Sequence, residues 1–95
     1  MREQLALAGQ PEPEVIGIDE ISVRQGHIYR IIVSDLERGQ PIWFGGVDRA
    51  EWSMDMFYDL LGAEATARIR LAVMDMWKPF RTATERQAPQ AAILL

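Results

Sequence analysis

Apolar residues in the first half of the chain come in short runs typical of β-strands. Such runs cover about residues 15–19, 27–34 and 41–44, and turn-forming residues separate them at 24–26 and 35–39. The middle run is almost continuously apolar or β-branched, which favours an interior strand covered on both faces. The pattern predicts three strands joined by tight turns in an antiparallel meander.

From residue 48 onward the apolar residues change to helical spacing. Asp48 and Glu51 have the spacing of a capping box, which predicts a helix beginning there. Its apolar stripe comprises Ala50, Met54, Phe57, Leu60 and Leu61. We expect Gly62 to end this helix and residues 63–68 to form another helical turn.

The last third of the chain predicts a strand, a helix and the beginning of another strand. The first of these strands covers about 69–74, and the helix covers about 76–87, with Pro79 tolerated in its first turn. The order is β-β-β-α-β-α-β, an α/β fold with a mixed five-stranded sheet. Residues 1–14 are interpreted as a leader and linker, and 15–95 as one partial domain. Because the chain ends inside an apolar strand, we expect the intact domain to continue and its C-terminal part to be missing.

Composition limits the chemistry that the chain can perform. It has 95 residues, 48% of them apolar, no cysteine and one histidine, His27. Disulfides and thiolate metal sites are therefore excluded, and any metal ion would be a hard cation held by carboxylate oxygens. No apolar run approaches the roughly 20 residues that span a bilayer, and no secretory signal is present, so we expect a cytoplasmic protein.

The net charge of −4 is unevenly distributed. Residues 1–62 carry five basic and eleven acidic side chains, whereas residues 63–95 carry five basic and three acidic ones. A surface that grips nucleic acid is normally basic. If the protein handles DNA, most of the contacts therefore belong to parts other than these 95 residues.

Two apolar runs each lead directly into an aspartate. Asp19 follows the run 15–18, and Asp75 follows the run 69–74. Ligands of open α/β sheets gather where strands end, so the two carboxylates could hold one divalent cation or a pair of them. The alternatives are a turn-forming role for Asp19 and an N-cap role for Asp75, which leaves one carboxylate oxygen free.

Four short segments together resemble the insertion-sequence DDE transposases. They are Gly17-Ile18-Asp19-Glu20-Ile21-Ser22, Gly26-His27-Ile28-Tyr29, Val33-Ser34-Asp35-Leu36 and Met74-Asp75-Met76-Trp77. The resemblance is closest to the group with an aspartate–glutamate–x–serine strand and an aspartate–methionine–tryptophan signature. It covers about residues 15–95.

The resemblance implies a ribonuclease-H-like fold whose three catalytic acids bind two divalent ions, Mg²⁺ or Mn²⁺. Asp19 would be the first acid, at the end of the central strand, and Asp75 the second, at the end of its parallel neighbour. The third acid of the family is a glutamate on a helix well downstream, beyond the end of this sequence. The DNA-binding region expected upstream is not in it either. We therefore expect a transposase fragment that is inactive alone.

Other polar and aromatic side chains have more ordinary interpretations. We expect Glu20 on the opposite face of the strand from Asp19, Asp35 in an Asx turn, and His27 without a special role. We expect the acids Glu51, Asp55 and Asp59 to form a solvated polar face on the first helix. The resemblance offers an alternative, because ribonucleases H carry a glutamate on that helix, so one of the three could be a third ligand. The aromatic residues Trp43, Phe44, Trp52, Trp77 and Phe80 are interpreted as core or rim.

The sequence is compatible with three functions. The first is a piece of a transposase that, when intact, cuts and joins DNA by phosphoryl transfer at two metal ions. The second is a stand-alone ribonuclease-H-like nuclease that uses Asp19, Asp75 and a helix acid. The third is a non-catalytic module that pairs with intact transposase, or with itself, through an exposed sheet edge. Marginal stability or low solubility is expected, because a mostly buried sheet needs cover on both faces.

Overall fold

A computed structural model describes residues 12–23, 28–46, 50–74 and 78–95 of the chain. These residues form five strands and three helices. The strands are β1 (Val15–Val23), β2 (Ile28–Asp35), β3 (Gln40–Gly46), β4 (Leu71–Met74) and β5 (Ala92–Leu94). The helices are α1 (Ala50–Leu61), α2 (Ala63–Ala67) and α3 (Lys78–Gln87). The predicted order is confirmed, and the predicted extra helical turn is the short helix α2.

All five strands form one sheet in the order β3-β2-β1-β4-β5. The first three strands pair antiparallel, as the meander predicts, whereas β4 pairs parallel with β1 and β5 pairs parallel with β4. Strand β1 therefore lies at the centre of a mixed sheet, with an antiparallel neighbour on one side and a parallel neighbour on the other.

One face of the sheet carries the hydrophobic core, and helices α1 and α3 cover it. Residues that pair across the sheet lie side by side in this core. Ile18 lies beside Val33 on β2 and beside Met74 on β4, and all three are buried. From the helices, Met54, Phe57 and Phe80 join the same cluster with no measurable exposure. Alternation along each strand places every second residue on this covered face.

The opposite face, called here the open face, has no described helix packed on it. Its side chains are half-buried or exposed, including Ile32, Val73, Phe44 and Leu94. Leu36 folds over this face at Gly17, where an added Cβ would lie 3.0 Å from Leu36 Cδ2. The expectation that β2 is covered on both faces is therefore wrong for the described residues, because both long helices pack on the same side of the sheet.

The apolar stripe of α1 is confirmed at four of its five positions. Ala50, Met54, Phe57 and Leu61 are buried, but Leu60 is 39% exposed, so it does not widen the stripe. Gly62 ends the helix with a φ of 95°, a left-handed conformation that glycine adopts without the penalty of a Cβ. The predicted cap Asp48 lies outside the described residues.

Trp43 fills the core beneath β3 and depends on a neighbouring glycine. Its ring packs against Phe57 at a centroid distance of 5.6 Å. A Cβ added to Gly45 would lie 2.1 Å from Trp43 Cη2, so the ring occupies the space that any larger residue would need. Trp43 Nε1 is buried without a hydrogen-bond partner in the described part of the chain. The Trp43 ring is thus closely packed, while its indole N–H has no hydrogen-bond acceptor among the described residues.

The helices of the described residues are all shorter and more polar than a membrane-spanning segment requires.

Candidate metal centre on the central strand

Asp19 lies in the interior of β1 and not at its end. The strand continues through Val23, because Glu20 to Val23 keep pairing with β2 in an unbroken antiparallel register. The predicted end of the strand at Asp19 is therefore wrong. The apolar run stops at Asp19, but backbone pairing with a neighbouring strand is compatible with polar side chains that face solvent.

The described parallel pairing between β1 and β4 extends to the residue directly before Asp19. The last parallel partners are Ile18 and Met74, which both point into the core. Asp19 is the next residue on β1, and Asp75 is the next residue in the sequence after Met74. The last described pair of the β1–β4 ladder therefore directly precedes both predicted acids in the sequence.

The carboxylate of Asp19 is available to a ligand. Asp19 is exposed on the open face, beside the half-buried Gly17 and Ile21 on the same strand. No described residue donates a hydrogen bond to it or forms an ion pair with it. Glu20 is also exposed, and strand alternation directs it to the opposite face, as predicted. Oxygen donors of this kind suit Mg²⁺ or Mn²⁺, so Asp19 fits the implied metal chemically.

Several predicted residues lie outside the described part of the chain. They are Asp75, His27, Met76 and Trp77. Within the described ranges, no three His, Asp or Glu side chains come close enough together to hold a metal ion. A complete set of ligands is therefore not formed by residues 12–23, 28–46, 50–74 and 78–95.

Two of the three acids on α1 pair with a basic side chain on α3. Arg86 contacts Glu51 at 2.5 Å and Asp55 at 2.7 Å, and Gln87 Nε2 donates to Asp55 at 3.0 Å. Burial acts to raise the pKa of Asp55, but the hydrogen bonds from Arg86 and Gln87 and the charge of Arg86 outweigh it, so the pKa lies below its usual value. Sequence reasoning missed this clamp, which joins the two long helices.

Asp35 organises the β2–β3 turn, as predicted. Its Oδ1 accepts hydrogen bonds from the backbone N–H groups of Glu37 at 3.0 Å and Arg38 at 3.1 Å, and its Oδ2 pairs with the Arg38 guanidinium at 2.7 Å. Burial alone would raise the pKa of Asp35, but these hydrogen bonds and the charge of Arg38 hold it below the usual value. Both carboxylate oxygens of Asp35 thus bond to residues of the turn.

Asp59 faces a small polar cleft on the helical side of the molecule. The cleft has a volume of about 200 Å³ and is lined mainly by residues of α1, α2 and the end of α3: Tyr58, Asp59, Ala63, Thr66, Ala67, Gln87 and Gln90. Gln90 already donates to the backbone carbonyls of Thr66 and Ile69, so its amide stabilises this corner. The cleft contains one carboxylate, which is too few for a metal site.

The described aromatic residues divide between core and surface. Trp43 and Phe80 are buried, as expected for core positions. Phe44 is 43% exposed on the open face, and Trp52 is 53% exposed on α1. Alternation along β3 explains the contrast between the neighbours Trp43 and Phe44, since one points to each face.

The fold and the exposed acid together define an α/β domain with a three-stranded meander, a parallel extension and a carboxylate directly after the last described parallel pair. A family model described as a transposase, of the DDE ISL3 group, matches residues 16–95. The chain belongs to this family of transposases.

Curated relatives agree with the family match. The transposase of insertion sequence element IS1557 from Mycobacterium tuberculosis is 44% identical over 55 residues, which are 57% of this chain and 12% of the relative. The transposase of insertion sequence element IS1001 from Bordetella parapertussis is 28% identical over 81 residues, 85% of this chain and 20% of the relative. The chain therefore spans between about an eighth and a fifth of the relatives' length. No solved structure gave a significant match.

Proposed function

We propose that this chain is part of the ribonuclease-H-like catalytic domain of an insertion-sequence transposase, and that Asp19 and Asp75 bind the divalent ions with which the intact enzyme cuts and joins DNA. The observation that carries the proposal is the parallel pairing of Ile18 with Met74. Each of these two residues directly precedes one of the two acids in the sequence.

The chemistry of such a site depends on the positions of its acids in the sheet. Bound Mg²⁺ or Mn²⁺ would supply electrostatic stabilisation of the attacking and leaving oxygens in a displacement at phosphorus. Asp19 would hold an ion from a strand fixed on both sides by backbone pairing, which limits its movement. Its exposure on the open face leaves room for a DNA phosphate beside the ion.

We further propose that the 95-residue polypeptide binds metal weakly and does not cut DNA alone. Two carboxylates leave most coordination positions of the ions to water, whereas the family resemblance implies a third acid on a later helix. The clamp by Arg86 supports this view, because it occupies Glu51 and Asp55 and so makes them poor substitutes. The alternative of a self-sufficient nuclease that uses a helix acid is correspondingly disfavoured.

Metal binding tests the two-acid site directly. Titration with Mn²⁺, followed by electron paramagnetic resonance of the free ion, should show one weak class of site in the unaltered chain. Asp19→Asn and Asp75→Asn should each weaken it about tenfold or more. Glu20→Gln is the matched control, since this exposed neighbour points to the other face of β1. Equal affinity in Asp19→Asn and the unaltered chain would remove the proposal.

A nicking assay on supercoiled DNA tests the dependence on further parts of the transposase. The pure chain should leave the DNA intact in Mg²⁺ or Mn²⁺. Robust nicking that disappears in Asp19→Asn would contradict the proposed inactivity while supporting the acid's role. Nicking that disappears in Glu51→Gln or Asp55→Asn would favour the stand-alone nuclease.

Pairing with an intact transposase is the second candidate function. It is favoured by β5, which lies at the edge of the described sheet and carries Leu94 with 55% exposure. An unpaired strand edge can accept a strand from another chain. Size-exclusion chromatography with a full-length relative tests this candidate, and separate elution at micromolar concentrations would discard it.

A further inference from the structure

The open face of the β1–β2–β3 meander brings an acid, a base and an aromatic ring together. The strand register forms two adjacent rows across the three strands. The first row is Asp19, Ile32 and Phe44, and the second row is Ile21, Arg30 and Gly46. Residues that are register partners share a face, so Arg30 lies diagonally beside Asp19 and beside Phe44 on the same surface.

Arg30 is a cation without a counter-charge in the described part of the chain. It is half-buried, and no described carboxylate pairs with it, although Asp19 lies on the next strand. Other described arginines, such as Arg38, Arg70 and Arg86, are held in ion pairs. Its row partner Gly46 lacks a side chain, and a Cβ added there would meet no atom of the described residues within 4 Å. Among the described residues, no carboxylate therefore competes with an anionic ligand for the Arg30 side chain.

Phe44 offers a flat apolar surface in the same region. It is 43% exposed, and its neighbour Trp43 fills the core behind the strand, so Phe44 is not needed to close that core. Strands lie about 4.8 Å apart, so Asp19 and Phe44, two strands apart, are separated by about 10 Å. An exposed aromatic ring therefore lies on the same face of the sheet as the proposed metal ligand.

From this arrangement we infer that the open face of β1–β3 binds a short single strand of DNA, with Arg30 contacting a phosphate and Phe44 stacking on an unpaired base. Charge complementarity selects the occupant, since an arginine that pairs with no described carboxylate suits a phosphate. An exposed ring suits a base that is free of its own stack. The inference rests on the proposed function, because it places the strand beside the phosphate that Asp19 and its metal ion would address.

Fluorescence anisotropy with a labelled eight-nucleotide single strand tests the surface in the full 95-residue chain. Phe44→Ala should weaken binding about tenfold, as the loss of one stacked base implies, and Phe44→Trp should restore it. Arg30→Gln should reduce the slope of log affinity against log salt concentration by about 0.7, the change expected for one lost phosphate contact on a single strand.

Matched controls lie on the helical side of the molecule. Trp52→Ala removes another exposed aromatic ring, and Arg81→Gln removes another exposed arginine. Both should leave the affinity and the salt slope unchanged. Circular dichroism melts of each variant establish that Phe44→Ala remains folded, which its exposure favours.

The outcomes separate this inference from the metal-site proposal. Phe44→Ala should leave Mn²⁺ affinity unchanged, whereas Asp19→Asn should reduce it. Strand binding that depends on Phe44 and Arg30 in a chain without Mn²⁺ affinity would support the surface and overturn the metal site. No measurable binding of the single strand, or equal losses in the control variants, would overturn the inference. Binding of a duplex with no dependence on Phe44 would also overturn it.

Discussion

The hydroxyl oxygens of Tyr58 on α1 and Thr84 on α3 lie 2.7 Å apart in a buried hydrogen bond between the two long helices. Both residues are almost completely shielded from solvent. The bond lies within the layer that covers one face of the sheet, and it fixes how α1 and α3 sit against each other. The orientation of these helices thus depends on a polar contact as well as on apolar packing.

We expect Tyr58→Phe to lower the free energy of unfolding by about 1–2 kcal/mol, because it removes one buried hydrogen bond. Thr84→Val should cost a similar amount, since it keeps the shape of the side chain but removes its hydroxyl. The double variant should lose less than the sum of the two. Urea unfolding measures all three, and fully additive losses would show that the two hydroxyls do not interact.

Alkaline pH should also act on this hydrogen bond. Burial raises the pKa of Tyr58 to about 12, above the value of about 10 for an exposed tyrosine. Above pH 10 the unfolded chain loses this proton before the folded chain does, so stability should fall as pH rises from 10 towards 12. The absorbance of ionised tyrosine at 295 nm and thermal melts follow the change, and Tyr58→Phe should flatten the decline in stability.

Acid should act on the β2–β3 turn through Asp35. The pKa of this carboxyl is held below its usual value of 3.8, so its contribution to stability is present above that value. The contribution should be lost as pH falls below about 3.8 and through the folded pKa. Asp35→Asn should reduce the free energy of unfolding at pH 7 by about 1–3 kcal/mol and reduce its dependence on pH in this range. A parallel pH profile in both proteins would contradict this prediction.

Two adjacent glycines at the end of β3 provide a matched pair for packing. Gly45→Ala places a methyl group 2.1 Å from the buried Trp43 ring, so we expect a loss of about 1–3 kcal/mol or more. Gly46→Ala meets no atom of the described ranges within 4 Å and should change stability by less than about 0.5 kcal/mol. Thermal melts of the two variants measure the contrast, and equal losses would mean that the ring moves aside at little cost.

The open face should limit solubility. Leu36 and Leu94 are 45% and 55% exposed there, beside the half-buried Ile32 and Val73. Leu94→Asn should raise the concentration at which the chain associates, with little change in stability, because the side chain is not part of the core. Light scattering over a concentration series tests this, and Leu60→Asn on the helical side is the control. If Leu94→Asn and Leu60→Asn associate at the same concentration, the contact between copies of the chain lies elsewhere on the surface.

Much of the fold follows from local patterns in the sequence. The stripe of Met54, Phe57 and Leu61 predicts a helix because those positions share one face at 3.6 residues per turn. Asp35 predicts its turn because a short carboxylate reaches the backbone two and three residues ahead. Such predictions succeed where a structural element is determined by residues that lie close together in the sequence.

The features that were predicted wrongly or missed are set by tertiary contacts. The strand through Asp19 continues because β2 supplies backbone partners as far as Val23, which the acids of β1 itself do not reveal. The pairing of Arg86 with Glu51 and Asp55 depends on how α3 lies against α1. Leu60 is exposed because the sheet meets only part of the apolar stripe. Each outcome is set by elements distant in the sequence.

The parallel contact between β1 and β4 has a consequence for the order of assembly. Ile18 can meet Met74 only after β2, β3, α1 and α2 have been made, whereas the meander needs only neighbouring segments. Contacts between distant segments form slowly because a long loop must close first. During synthesis, the meander can therefore be in place well before β4 emerges, and the proposed ion-binding pocket would be among the last features of the domain to mature.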